Sequence, residues 1–219
     1  MKIINPQIKA DIVNKKPLHL NLGFGESKQS GYYNLDLLKL PGVDITADLN
    51  KPLDLIPDKS VMSIYTRHTL EHIENITGLM KEIYRICRDD AEIYIIAPHF
   101  SNPYYYSDPT HVRPFGLYTM HYFMDKNDQP IRKVADFYAN VKFHVVYSRI
   151  DFYRVSLFDR ITVPFIRYLV NLNFLSQDIY ERRWSWSIPA WQIKYILRKG
   201  KNKNNIKLQT GKKYIKGNV

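Results

Sequence analysis

Cysteine is almost absent from these 219 residues. The single Cys87 excludes an internal disulfide and points to a reducing compartment, the cytoplasm. No apolar run approaches the ~20 residues that cross a bilayer. The opening MKIINPQIKADIVNKK lacks the apolar core of a signal peptide. Long low-complexity breaks are missing too, so a chain that is 45% hydrophobic reads as one core over residues 1–199, followed by a tail over 200–219. Acid is missing from the end of the chain: residues 194–219 hold eight lysines and one arginine, while the formal net charge of the whole is +11. The rest of the chain is therefore nearly neutral. The tail has little apolar surface to bury and reads as a solvated extension. Its charge suits RNA, phosphate or an anionic membrane surface.

What is present begins with LHLNLGFGES at 18–27 and NLD at 34–36. An apolar run that breaks into Gly-x-Gly reads as a buried strand ending in a turn where backbone approaches a ligand closely. An acid that ends the next apolar run, Asp36, is placed to accept hydrogen bonds from ribose hydroxyls. Together they suggest a nucleotide-like cofactor.

Strand-like and helix-like periods then alternate. Residues 18–22, 32–37, 42–49, 61–68 and 91–98 read as strands. Ile76, Leu79, Met80, Ile83, Ile86 and Cys87 recur at three- and four-residue spacing, which predicts a helix with one buried face and Cys87 in the core. Asp89-Asp90 is expected in a turn. KFHVVYSRIDFYRV and WQIKYILRKG read as two further strands. The order predicts an α/β fold: a three-layer, doubly wound, Rossmann-like sheet, mostly parallel, with an antiparallel C-terminal hairpin and a helical insertion at about 155–188.

LNLGFG, GYYNLD, VDITADLNKPLDLIPDKSVMSIYTRHTLEHI and LMKEIYRICRDDAEIYIIAPH together resemble the class I S-adenosylmethionine-dependent methyltransferases, type 11 group, over roughly residues 17–123. DPTHVRPF is similar to a subset often associated with bacterial cell-surface polysaccharide synthesis. The resemblance implies S-adenosyl-L-methionine as cofactor. Backbone N–H groups of Gly23, Phe24 and Gly25 would cradle its carboxylate, Asp36 the ribose, Asp48 the adenine amino group and Leu49 the ring, with Asn21 and Leu37 beside them. His68 would face the sulfonium. Two positions depart from the pattern: Phe24 stands between the glycines, to pack beneath the turn or crowd it, and Ser27 replaces a third glycine. The path from Gly25 to Asp36 is too short for a full helix, so a loop is expected there.

HTLEH at 68–72 also fits the H-x-x-E-H pattern of inverted zinc peptidases. That pattern needs both histidines on one helix, whereas His68 directly follows a strand-like run. No metal ligands are assigned from the sequence. Glu71 and His72 are expected to open the next helix and hold a loop.

Methyl transfer to a hydroxyl requires a base. Candidates fall in PHFSNPYYYSDPTHVRPF at 98–115, a long polar loop at the ligand-binding edge. His111 is the expected base or acceptor-orienting group and Asp108 its partner, with bracing of the loop as the structural alternative. His99, Tyr105 and Arg113 are the expected substrate contacts, Arg113 through an anionic group or an acid. Farther on, Ile161, Phe165, Tyr168, Leu169 and Leu172 form one face of an amphipathic helix that would cover the sheet, lid the site or meet a membrane surface. The expected activity is methyl transfer to a hydroxyl of a sugar or glycolipid. Two readings of other classes stay open: an RNA-binding or RNA-modifying protein using the basic tail, and a cofactor-binding scaffold without catalysis.

Overall fold

A computed structural model describes residues 1–25 and 29–199. Ser27 and the basic tail lie outside them. The elements in chain order are β1 (Lys2–Ile3), α1 (Pro6–Val13), β2 (Leu18–Leu22), β3 (Tyr33–Asp36), β4 (Ile45–Thr46), β5 (Val61–Arg67), α2 (Ile76–Ile86), β6 (Cys87–Pro98), β7 (Phe143–Asp151), α3 (Leu157–Val170), α4 (Phe174–Arg183) and β8 (Gln192–Lys199). The strands form one sheet in the order β1-β4-β3-β2-β5-β6-β8-β7. Pairing is parallel from β4 through β6. It is antiparallel at β1–β4, β6–β8 and β7–β8, so the C-terminal hairpin is present as expected.

Alternate residues of a strand share a face, and one face of each central strand is apolar: Leu18, Leu20 and Leu22 of β2 and Ile93 and Ile95 of β6 are fully buried. In α2 the apolar positions Ile76, Leu79, Met80, Ile83 and Ile86 are all buried, and the Asn75 side chain caps the helix by accepting from the Gly78 N–H. Cys87 is buried at the end of this helix, as its place in the pattern requires.

Four expectations change. The third strand shrinks to Ile45–Thr46, because Asp44 accepts from Asn5 Nδ2 and Asn34 N–H instead of continuing a ladder. Asp89 and Asp90 lie inside β6 and not in a turn. The register there jumps from Val61↔Cys87 to Ser63↔Glu92, which takes up the extra residues as a bulge. HTLEH forms no α-helix: His68 follows β5 with φ +49°, and Leu70–His72 is a single 3₁₀ turn. The apolar face of α3 does not cover the sheet. Val163 is buried against the core with Ile166 and Val170 beside it, while Phe158, Ile161 and Phe165 are more than 60% exposed on the other side.

Candidate active site

In a sheet of this kind ligands bind beyond the carboxyl ends of the strands, where the strand order reverses. From β2 the chain builds outward to β3 and β4 on one side and to β5 and β6 on the other, so the reversal lies between β2 and β5. The turn after β2 and the turn after β5 therefore face each other. Gly23 has φ +70°, and a Cβ there would sit 2.1–2.6 Å from the Thr69 side chain. Thr69 follows β5, and its hydroxyl lies 3.1–3.4 Å from the carbonyl oxygens of Leu22, Gly23 and Arg67. Gly25 has φ +48°, and a Cβ there would meet nothing within 4 Å. The turn is thus locked at its first glycine and open at its second.

Phe24 packs away from this opening: its ring lies against Gly42, where an added Cβ would stand 3.3 Å from Cζ. It is buried and does not crowd the turn. Asp36 ends β3 half-buried, and its carboxylate accepts from the Gly25 N–H at 2.9 Å and the Leu38 N–H at 3.0 Å. Asp48 follows β4 and accepts from the Asn50 N–H at 2.9 Å, which holds its carboxyl below the usual range. Leu49 is buried beside it.

The expected carboxylate cradle differs from what is built. The N–H groups of Gly23 and Phe24 donate to the Leu35 carbonyl at 2.9 and 3.1 Å, and Gly25 donates to Asp36. Of the three, only the Gly25 N–H is held by a side chain that a ligand is able to displace. Asn21 is 1% exposed and donates to Asn34 Oδ1 at 3.1 Å, which makes it an interior brace between β2 and β3. Leu37 points outward and is 67% exposed.

The opposite wall holds a cluster of imidazoles and carboxylates. His68 Nε2 lies 3.2 Å from Gln192 Oε1, and its ring stacks on Trp191. Its Nδ1 is 3.6 Å from Glu71 Oε1. Glu71 is 1% exposed, and neither carboxylate oxygen has a hydrogen-bond partner. The loop at 98–115 closes over this point: the Val112 N–H donates to the Glu71 carbonyl, and Arg113 Nη2 donates to the carbonyls of Ile73 and Glu74. Arg113 thus braces the loop through backbone and forms no ion pair with an acid, and burial pulls its guanidinium pKa down.

His111 stacks on Tyr105 at 4.7 Å, and its Nδ1 lies 2.8 Å from the Tyr105 carbonyl oxygen. A carbonyl only accepts, so Nδ1 carries the proton and the lone pair is at Nε2. Asp108 Oδ2 stands 3.6 Å from that nitrogen, which brings the expected pair together. Thr110 donates to Asp108 through its hydroxyl and N–H, holding the carboxyl below the usual range. His99 and Tyr105, the other expected substrate contacts, are both buried. His99 is fully buried: its Nε2 donates to Glu181 at 3.0 Å and its Nδ1 accepts from the Ser101 N–H. Tyr105 is buried as the shelf beneath His111, and that burial raises its pKa.

Three participants escape the sequence reading. Thr69 is the partner of the glycine turn, while Trp191 and Gln192 reach His68 from the far end of the chain. Because β8 runs antiparallel, its beginning lies at the carboxyl ends of its neighbours. That inversion is the signal that places Trp191 and Gln192 here.

No protein-family model matches the chain, and no curated protein does. Solved structures resemble its fold. A SAM-dependent methyltransferase from Archaeoglobus fulgidus is 17% identical, with 88% of this chain and 93% of that one aligned and a TM-score of 0.48. An S-adenosylmethionine-dependent methyltransferase from Mesorhizobium loti is 14% identical over 83% and 90% of the two chains, with a TM-score of 0.47. A Haemonchus contortus phosphoethanolamine N-methyltransferase in complex with S-adenosylhomocysteine is 11% identical over 89% of this chain and 52% of that one, at 0.46.

Proposed function

We propose that this chain transfers a methyl group from S-adenosyl-L-methionine to a hydroxyl of a sugar or glycolipid. The observation that carries the reading is the pairing of two unlike walls at the point where the strand order reverses. One wall is an open glycine turn flanked by Asp36 and Asp48; the other is His111 with its lone pair at Nε2. The open space at Gly25 and the half-buried carboxylate of Asp36 suit the cofactor's ribose and carboxylate. When bound, that cofactor supplies a methyl group already activated on sulfur. The chain's own part is to hold the acceptor in line, exclude water and take up the hydroxyl proton. His111 Nε2 is the acceptor of that proton, and Asp108 at 3.6 Å steadies the resulting imidazolium. His68, stacked on Trp191, borders the reacting atoms.

A glycolipid is favoured by α3. Its exposed Phe158, Ile161 and Phe165, on a segment that also carries the exposed Arg154 and Arg160, suit an anionic membrane surface carrying the acceptor. No helix among the described residues is long and apolar enough to cross a membrane.

A non-catalytic scaffold is the second reading, favoured by the N–H groups of Gly23 and Phe24 being already used. Calorimetry with S-adenosylmethionine tests both. Binding by the wild type, weakened about tenfold or more in Asp36→Ala, is expected; absence of wild-type binding removes the methyltransferase reading. Release of S-adenosylhomocysteine across sugar nucleotides, glycolipids, small amines and RNA then identifies the acceptor. Turnover that persists in His111→Ala rules out His111 as base, and no turnover with any acceptor favours the scaffold.

A further inference from the structure

We propose that Glu71, His72 and His111 form a binding site for one divalent transition-metal ion, with Zn²⁺ the best match to the donor set. Three observations converge. First, ligand-capable atoms from these three side chains all lie within 4.8 Å of one another. Second, the Glu71 carboxylate is almost fully buried, and both of its oxygens lack a hydrogen-bond partner. Burying such a group unsatisfied is costly, and the nearest nitrogens fail to relieve it: His111 Nε2 stands 4.0 Å from Oε1 and His68 Nδ1 3.6 Å.

Third, both imidazoles are held in the tautomer that a metal requires. His111 Nδ1 donates to the Tyr105 carbonyl at 2.8 Å, leaving the Nε2 lone pair directed to the Glu71 side. His72 Nδ1 lies 3.3 Å from the Thr110 carbonyl and 2.9 Å from its hydroxyl, which is itself donated to Asp108. That nitrogen is therefore also the protonated one, and Nε2 is free. Hydrogen bonds from the second ring nitrogen to a carbonyl or carboxylate are the means by which proteins orient metal-binding histidines.

Two imidazoles and one carboxylate suit Zn²⁺ and its neighbours better than Mg²⁺ or Ca²⁺, which prefer oxygen. Ligands on a tetrahedral ion at ~2.1 Å stand ~3.4 Å apart, so these side chains close inward by about an ångström on binding. Three protein ligands leave a fourth position open, as in catalytic zinc sites. Resting on the methyl-transfer reading, that position would take the acceptor hydroxyl; the ion and the base role both use the His111 Nε2 lone pair and exclude one another, so with the ion bound the hydroxyl, made more acidic by the ion, would give its proton to solvent and His111 would only hold the ion. This arrangement differs from a zinc-peptidase helix. His68, although its Nδ1 lies 3.6 Å from Glu71 Oε1, is not among the three converging residues, and the third ligand comes from the DPTHVRPF loop.

The site is tested on the full chain, stripped with chelator and then titrated with Zn²⁺ alone by calorimetry, with metal content measured after gel filtration. About one ion per chain is expected. Glu71→Gln and His72→Gln should each weaken it by more than the ~10–100-fold that loss of an outer-shell partner costs. His72 is only half-buried, so its variant should fold even if the buried Glu71 variant does not. Asp36→Ala should bind Zn²⁺ unchanged while losing S-adenosylmethionine, which separates failure of this proposal from failure of the cofactor reading. No ion retained, or Zn²⁺ affinity indifferent to His72→Gln, overturns it. So does equal affinity for Mg²⁺.

Discussion

At the scale of the residue, the tightest constraint is the contact of Gly23 with Thr69 across the crevice. A methyl group at position 23 meets the Thr69 side chain at 2.1–2.6 Å, and φ of +70° is costly for any residue with a Cβ. Gly23→Ala should therefore destabilise the fold by about 2–4 kcal/mol in denaturant titration, the sum of overpacking and left-handed strain. Gly25→Ala has the strain without the clash and should cost about 1–2 kcal/mol. Adding Thr69→Ala to Gly23→Ala should recover part of the steric cost, since the Thr69 Cβ itself stands 2.6 Å from the added methyl, and a double-mutant cycle without coupling would show that the two side chains do not compete for this space. The glycines and Asp36 were legible in the sequence because a ligand turn needs those residue types. Thr69 was not, because its role depends on which strand stands beside β2.

At the scale of the element, α3 shows how a correct pattern leaves its covering open: of the sheet, a lid and a membrane surface, the exposed arc excludes only the first. Its apolar arc is evident in the sequence, and the helix forms over Leu157–Val170, opened by a capping box of Ser156 with Asp159. Yet two apolar sets lie on it: Val163, Ile166 and Val170 pack inward, and the larger arc through Phe158, Ile161 and Phe165 faces solvent. Periodicity identifies an apolar face without saying what covers it. On the proposed reading, a bilayer surface would cover these exposed aromatic and aliphatic side chains. Replacing Phe158, Ile161 and Phe165 together by serine should abolish sedimentation with vesicles containing anionic lipid and change the melting temperature little, since those side chains support no core. Loss of stability with unchanged vesicle binding would assign the arc to folding instead. β4 and the Asp89-Asp90 bulge escaped the sequence reading for a related reason: side-chain hydrogen bonds to Asp44 and a register jump decide them, and neither has a period.

At the scale of the whole molecule, the sheet was the most legible feature, because alternating strand and helix periods with short connections leave few ways to wind a parallel sheet. The acceptor wall was the least legible, since it assembles the turn after β5, the loop after β6 and the start of β8 from residues far apart in sequence. Global stability offers a last test of how those parts are packed. His121 is fully buried among Tyr118 and Phe174, neither ring nitrogen has a partner, and burial pushes its pKa down from 6.5 to about 4. The folded state thus holds this ring neutral where the unfolded chain binds a proton. Its contribution is complete above about pH 6.5 and is lost as pH falls toward 4, to a limit of about 3 kcal/mol. The carboxylates held below their usual range contribute in the same direction, Asp48, Asp108 and Asp151 with an ordinary value of 3.8 and Glu82, bound by Arg85, with one of 4.5, so their contribution is lost from about pH 5 downward. The part of this window above about pH 5 therefore separates His121 from these carboxylates. Urea unfolding across that window should show stability falling with acidity in the wild type and a markedly flatter profile in His121→Phe, which keeps the ring and removes the titrating group. A slope unchanged by the substitution would place the acid sensitivity elsewhere in the molecule.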